Sequence, residues 1–228
     1  MAKCESTKRS ELDAERLTEK LRERGVEQLR DEEEVWAIVD PSELRKPYAR
    51  EMPALMRVRK SGSEKGTVPG YRTLNVLGVG REGRGGVLYH QLFSSRAEGF
   101  ESEPSEIRRA LSTVWEALAG KRVTYLMDRQ FDDVTVWSTI WQQGGHLVCR
   151  LQHEERLVEV SGEDGGWTAG TIAEAGTRAK QRVTVRTEML VRKRGQRYTK
   201  RQLTTVHIAC CQIRVSYPSE VRTRRTSQ

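Results

Sequence analysis

Apolar positions along this chain recur at two different spacings, and the change from one to the other marks out its elements. From Ser10 to Glu34 they are sparse, with Leu17 and Leu21 four apart and Leu12 and Leu29 at looser helical intervals among Glu, Lys and Arg. That spacing predicts a solvated amphipathic helix. Val35 to Val39 is then an unbroken apolar run ending on Asp40, the pattern of a buried strand. Residues 41 to 70 hold four prolines and the run Ser61-Gly62-Ser63, which predicts a loop lying near Asp40. Tyr71 to Val79 and Gly86 to Phe93 flank a Gly-rich turn, and their β-branched and aromatic content predicts an antiparallel hairpin.

Beyond the hairpin, Ser105 can cap a helix carrying Ile107, Leu111, Val114, Trp115 and Leu118 on one face, with Gly120 past its end. A strand from Val123 to Met127 follows and delivers Asp128 at its tip. A second helix starting near Asp132 is expected to bury Val136, Trp137, Ile140 and Trp141 and to stop at Gly144-Gly145, before a last strand from His146 to Leu151. The order β-β-β-α-β-α-β places the chain in the α/β class with a ribonuclease H-like mixed sheet, three antiparallel strands extended by parallel ones. From Glu154 onward Gly-rich turns alternate with long β-type runs, Arg182 to Val191 and Gln202 to Tyr217, and the one helical stretch is Ala173 to Lys180. The expected divisions are a helical leader (1–34), a core (35–153), a C-terminal β-rich insertion subdomain (154–217) and a basic tail (218–228).

Charge sharpens this picture. The net charge is +8, and between Arg178 and Arg225 fourteen Lys or Arg residues face only Glu188 and Glu220. A polyanion is the natural partner of such a segment, nucleic acid ahead of an anionic membrane. No apolar run approaches the roughly 18 residues of a spanning helix, and the amino terminus lacks the apolar core of a signal peptide. These features predict a cytoplasmic, nucleoid-associated protein with no membrane partner. Cys4, Cys149, Cys210 and Cys211 form no regular framework and are expected to be reduced thiols.

Two strands that each end on an aspartate carry the candidate chemistry. In the expected topology the first and fourth strands are neighbours, so Asp40 and Asp128 would converge on one space the size of a metal ion. Hard oxygen ligands of this kind suit Mg2+ or Mn2+, which polarise a phosphodiester and activate water. Asp132 and Asp133 read better as caps of the helix that follows them. Gly78 to Gly83 has the dinucleotide-binding glycine spacing, but a strand follows it, so the cofactor reading fails. His146 with Cys149 and His207 with Cys210 stand three apart in strands and face opposite sides, which excludes shared zinc ligation. Arg192, Lys193, Arg194, Arg197, Lys200 and Arg201 surround Gly195 in what reads as a hairpin tip suited to phosphate contacts. Trp167 could stack on an unpaired base.

Several segments together resemble a known family. Val39-Asp40-Pro41-Ser42-Glu43-Leu44-Arg45-Lys46-Pro47-Tyr48-Ala49, Pro69-Gly70-Tyr71, Leu88-Tyr89 with Ser94-Ser95, and Leu126-Met127-Asp128-Arg129-Gln130-Phe131-Asp132-Asp133 are similar to the catalytic domain of DDE transposases of the insertion-sequence-four type. The match runs from about Val35 to Arg156, with Gln130 standing where the family usually has Gly. The resemblance implies a ribonuclease H-like fold with a β insertion, Asp40 and Asp128 as metal-binding catalytic carboxylates, and Mg2+ or Mn2+ as cofactor. It also implies double-stranded DNA, transposon ends and target, as partner, with Arg129 and Arg150 close enough to touch it.

The family's third carboxylate lies in a Tyr-x2-Arg-x3-Glu-x6-Lys motif. Tyr198 and Arg201 meet the first half of that spacing, but Thr205 stands in the place of Glu, and Glu220 follows Pro218 eight positions from the last residue. The expectation is therefore a transposase fragment truncated at both ends, inactive alone, that could form a homodimer or join full-length transposase. Two alternatives stay open. One is a DNA-binding regulator derived from a truncated transposase. The other is a metal-dependent nuclease recruiting Glu43, Glu188 or Glu220 as a substitute ligand.

Overall fold

The computed structural model describes residues 14–60, 65–161, 165–178, 181–191, 200–210 and 213–215. Contacts divide the chain into two compact units, Met1–Gln152 and His153–Gln228.

The first unit is a mixed sheet with helices on one face. Its elements run α1 (Ala14–Gln28), β1 (Glu34–Arg45), β2 (Met56–Arg59), β3 (Thr67–Val79), β4 (Gly85–Phe93), α2 (Glu103–Ala117), β5 (Arg122–Met127), a short 3-10 turn (Arg129–Phe131), α3 (Val134–Gln142) and β6 (His146–Cys149). The strand order is β2-β3-β1-β5-β6, with β4 also pairing β3. β1 runs antiparallel to β3 and parallel to β5, and β5 runs parallel to β6. Alternation decides the faces. Val35, Ala37 and Val39 are buried with Val123, Tyr125 and Met127 and with Leu74 and Val76. The Tyr125 hydroxyl donates to the Leu111 carbonyl of α2 at 3.3 Å, which places that helix on the same face.

α1 crosses this face against β4. Gly25 allows the approach, because a β-carbon there would lie 2.3 Å from the Val87 carbonyl oxygen. On the opposite face Trp36, Ile38, Leu77 and Val148 are exposed, and among the described residues of this unit no helix covers them.

The segment after Asp40 departs from expectation. β1 continues through Pro41 to Arg45, and β2 adds a strand where the prolines predicted only loop. β5 ends at Met127, opposite Val39. Lys46 donates its N–H toward β3, so by alternation the Pro41 nitrogen faces the side that β5 has vacated, and its missing N–H breaks no ladder bond. The turn leading into β2 is clamped by side chains. Tyr71 Oη donates to the Pro53 carbonyl, Ser94 Oγ to that of Ala54 and Arg96 to that of Leu55. These bonds hold Ala54 at φ 52°, a conformation that L-residues avoid.

Three smaller expectations also change. Ser102, not Ser105, caps α2, its Oγ accepting from the Ser105 N–H, which lengthens the helix by a turn at its start. Trp141 is 47% exposed rather than buried, because Val136, Trp137 and Ile140 fill the inner face of α3. β6 stops at Cys149, two residues earlier than expected.

The second unit contains β7 (Leu157–Ser161), β8 (Trp167–Thr171), α4 (Ile172–Arg178), β9 (Gln181–Val191), β10 (Lys200–Cys210) and β11 (Ile213–Val215). β11-β7-β8 form one antiparallel sheet and β9-β10 a second. Val158, Val160 and Ala175 make its small core with Ile172, Ile213 and Val215. Thr171 and Glu174 exchange backbone and side-chain hydrogen bonds, a capping box at the start of α4. No helix among the described residues is long and apolar enough to cross a membrane.

Candidate metal centre

Register places the two aspartates. β1 and β5 pair in parallel up to Val39 opposite Met127, so Asp40 and Asp128 occupy the next positions on strands roughly 4.8 Å apart. Both are exposed. Asp40 shares its parity with Trp36 and Ile38, so its side chain lies on the face without helices.

A polar row crosses the sheet at this level. His90 pairs with Asn75 and Asn75 with Asp40, while the β5-β6 register, continued by one step, sets Arg150 opposite Asp128. His90 Nδ1 lies 2.7 Å from Asn75 Oδ1, and Asn75 Nδ2 donates to the Asp40 carbonyl at 3.3 Å. Directly below it the row Leu77, Ile38, Leu126, Val148 is apolar. Asn75 and His90 were not singled out from sequence. The available signal was a polar residue amid apolar neighbours on each arm of the hairpin, but linking them to Asp40 needs the register of three strands.

Each carboxylate is half committed. Asp40 Oδ2 accepts from Ser42 Oγ at 3.2 Å, and Asp128 Oδ1 accepts from the Gln130 N–H at 2.9 Å, capping the 3-10 turn. Among the described residues no group donates to Asp40 Oδ1 or Asp128 Oδ2. Two free anionic oxygens on neighbouring strands fit a divalent ion that keeps several waters, as Mg2+ usually does. Among the described residues no cluster of three or more His, Cys, Asp or Glu side chains could hold a metal.

The other candidates fall as follows. Asp133 caps α3 through the Thr135 N–H, whereas Asp132 accepts from the Gln152 N–H at 2.7 Å and does not cap that helix. Glu43 is three residues beyond Asp40 and therefore on the other face, where it binds the Arg45 guanidinium and the Arg59 N–H. It is not placed to be a substitute ligand. Arg129 and Arg150 are exposed beside Asp128, and neither guanidinium has a partner among the described residues. Trp167 carries the Arg214 guanidinium 3.8 Å above its ring, so that face is already covered. Arg192, Lys193, Arg194 and Arg197, like Glu220, lie outside the described residues, as do the side chains of Lys200, Arg201 and Glu188.

No protein-family model and no curated protein matches this chain. Among solved structures it is similar to the piggyBac transposase synaptic complex with hairpin DNA, with TM-score 0.37, 12% identity, and coverage of 77% of this chain and 36% of that one. It is also similar to the Mos1 mariner paired-end complex with Mn, with TM-score 0.30, 15% identity, and coverage of 68% and 49%. The chain thus spans less than half the length of either solved protein.

Proposed function

We propose that residues 35–153 are a ribonuclease H-like catalytic core of the DDE transposase kind, of the insertion-sequence-four type, and that the chain acts on double-stranded DNA. Asp40 and Asp128 are the residues that would hold Mg2+ or Mn2+. When bound there, the ion supplies Lewis-acid polarisation of a phosphodiester and a more acidic attacking water. Ser42 and the Gln130 N–H fix the two carboxylates, the Asn75–His90 pair steadies β1 from the other side, and Arg129 and Arg150 offer cations to the strand being cut. The observation that supports this reading is the β1-β5 register, paired up to Val39 opposite Met127, beyond which the next residues are the exposed Asp40 within β1 and the exposed Asp128 just past β5. The remote likeness to solved transposases adds nothing to it.

Two carboxylates are fewer than the three that such chemistry uses, and the described residues supply no third to the cluster. The isolated chain is therefore expected to bind DNA without cutting it, which also favours the second reading, a DNA-binding regulator of a transposase. Replacement of the metal by Fe2+ with ascorbate tests the shared site. Scission of the polypeptide beside residues 40 and 128, suppressed by excess Mg2+ and lost in Asp128→Asn, is expected. Scission elsewhere, or none that depends on Asp128, would refute the metal centre.

A further inference from the structure

Tyr48 is 95% exposed, and among the described residues the next most exposed large hydrophobic side chain, Val148, reaches only 60%. A phenol ring left wholly in water adds nothing to the fold, yet the backbone beneath it is held at both ends. The Lys46 N–H donates to the Pro69 carbonyl at 2.8 Å, which ties one leg to β3, and the Ala49 N–H donates to the Lys46 carbonyl at 3.0 Å, which closes a turn with Pro47 and Tyr48 at its centre. Pro47 presets the backbone angle at its own position in that turn. The other leg runs into the segment Pro53 to Leu55, whose three carbonyls are clamped by Tyr71, Ser94 and Arg96. The ring is therefore presented on a fixed support, which lowers the entropic cost of binding through it.

Cations stand on both legs. Lys46 and Arg50 lie two positions before and two after Tyr48, and Glu51 is the one acidic residue between 46 and 55. Among the described residues, the Tyr48 ring and the side chains of Lys46 and Arg50 have no hydrogen-bond, ion-pair or ring partner. Trp167, the aromatic that the sequence offers for stacking, has Arg214 over its ring, whereas nothing covers Tyr48. A free ring between free cations matches a nucleobase face and the phosphates beside it. In a duplex each base is stacked between its neighbours, so the face has to come from an unpaired base.

We infer that the Tyr48 turn is a binding site for an unpaired base of a DNA strand, with the ring stacked on the base and Lys46 and Arg50 meeting the flanking phosphates. The inference rests on the proposed function for the presence of DNA, but it uses none of the residues at the carboxylate pair. From Asp40 to Arg45 β1 advances roughly 17 Å, about five base steps, so the nucleotide taken here is not the one at the carboxylates.

The test measures affinity of the full chain for a blunt duplex and for the same duplex with a short single-stranded overhang carrying 2-aminopurine, against salt, with thermal melts to verify folding. Tyr48→Ala is expected to weaken overhang binding about tenfold, to abolish quenching of 2-aminopurine and to leave the salt slope and the blunt-duplex affinity unchanged. Tyr48→Phe should bind and quench as wild type does, and Lys46→Ala and Arg50→Ala should each lower the overhang slope of log affinity against log salt by about 0.7. Wild-type overhang affinity in folded Tyr48→Ala, or an equal loss on the blunt duplex, would overturn the site. Self-association of the chain that depends on Tyr48, with DNA affinity unaffected by it, would assign the turn to a protein contact and overturn it as well. Mn2+ binding by wild type and Asp40→Asn, measured in parallel, reports on the carboxylate pair separately, so that either proposal can fail without the other.

Discussion

The Gln130 N–H donates to Asp128 Oδ1 at 2.9 Å, so the carboxylate proposed to hold metal also caps the turn that follows it. The two roles use different oxygens and separate by substitution. Asn caps as well as Asp but carries no charge, whereas Ala does neither. Asp128→Ala is expected to lose about 1 kcal/mol of stability and Asp128→Asn only a few tenths, while both lose Mn2+ affinity alike. Denaturant unfolding with Mn2+ titration of the two variants checks this, and equal stability losses would show that the cap contributes nothing.

Gly25 packs α1 against β4 at backbone contact. A methyl group there meets the Val87 carbonyl at 2.3 Å, and backbone cannot swing aside as a side chain can. Gly25→Ala should cost at least about 2 kcal/mol despite the better helix propensity of Ala. A melting temperature at or above that of wild type would show that α1 is not seated on this face.

Burial pushes the Tyr125 phenol well above its ordinary range. The folded state thus holds this proton more tightly than the unfolded chain does. Stability is full below pH about 10, the unfolded value, and falls as pH rises above it, where the unfolded chain ionises first. Tyr125→Phe should flatten the alkaline limb of the stability profile while costing about 1 kcal/mol near neutrality for the hydroxyl bond to Leu111. An alkaline slope unchanged by the substitution would assign it to other groups.

Much of the first unit was legible because its strands alternate or run apolar without a break, and the apolar runs Val35 to Val39 and Val123 to Met127 are each followed by an aspartate. Residues 41–70 misled because proline is a poor guide at the end of a sheet. Pro41 sits in a strand whose neighbour has already stopped, and Met56-Arg57-Val58-Arg59 is too short and too basic to signal a strand alone. Trp141 looked buried because helical spacing brings it near Trp137, yet it is Trp137, whose Nε1 donates to the Phe131 carbonyl, that enters the core. The partnership of Asn75 with His90 depends on which positions of distant strands face each other, and no local pattern carries that information.

The central claim is that Asp40 and Asp128 share one divalent ion, and Mn2+ titration followed by electron paramagnetic resonance measures it most directly. The full chain should bind one Mn2+ that Asp40→Asn and Asp128→Asn each abolish, with Glu43→Gln binding as wild type does. Mn2+ binding that survives either aspartate substitution would contradict the shared site.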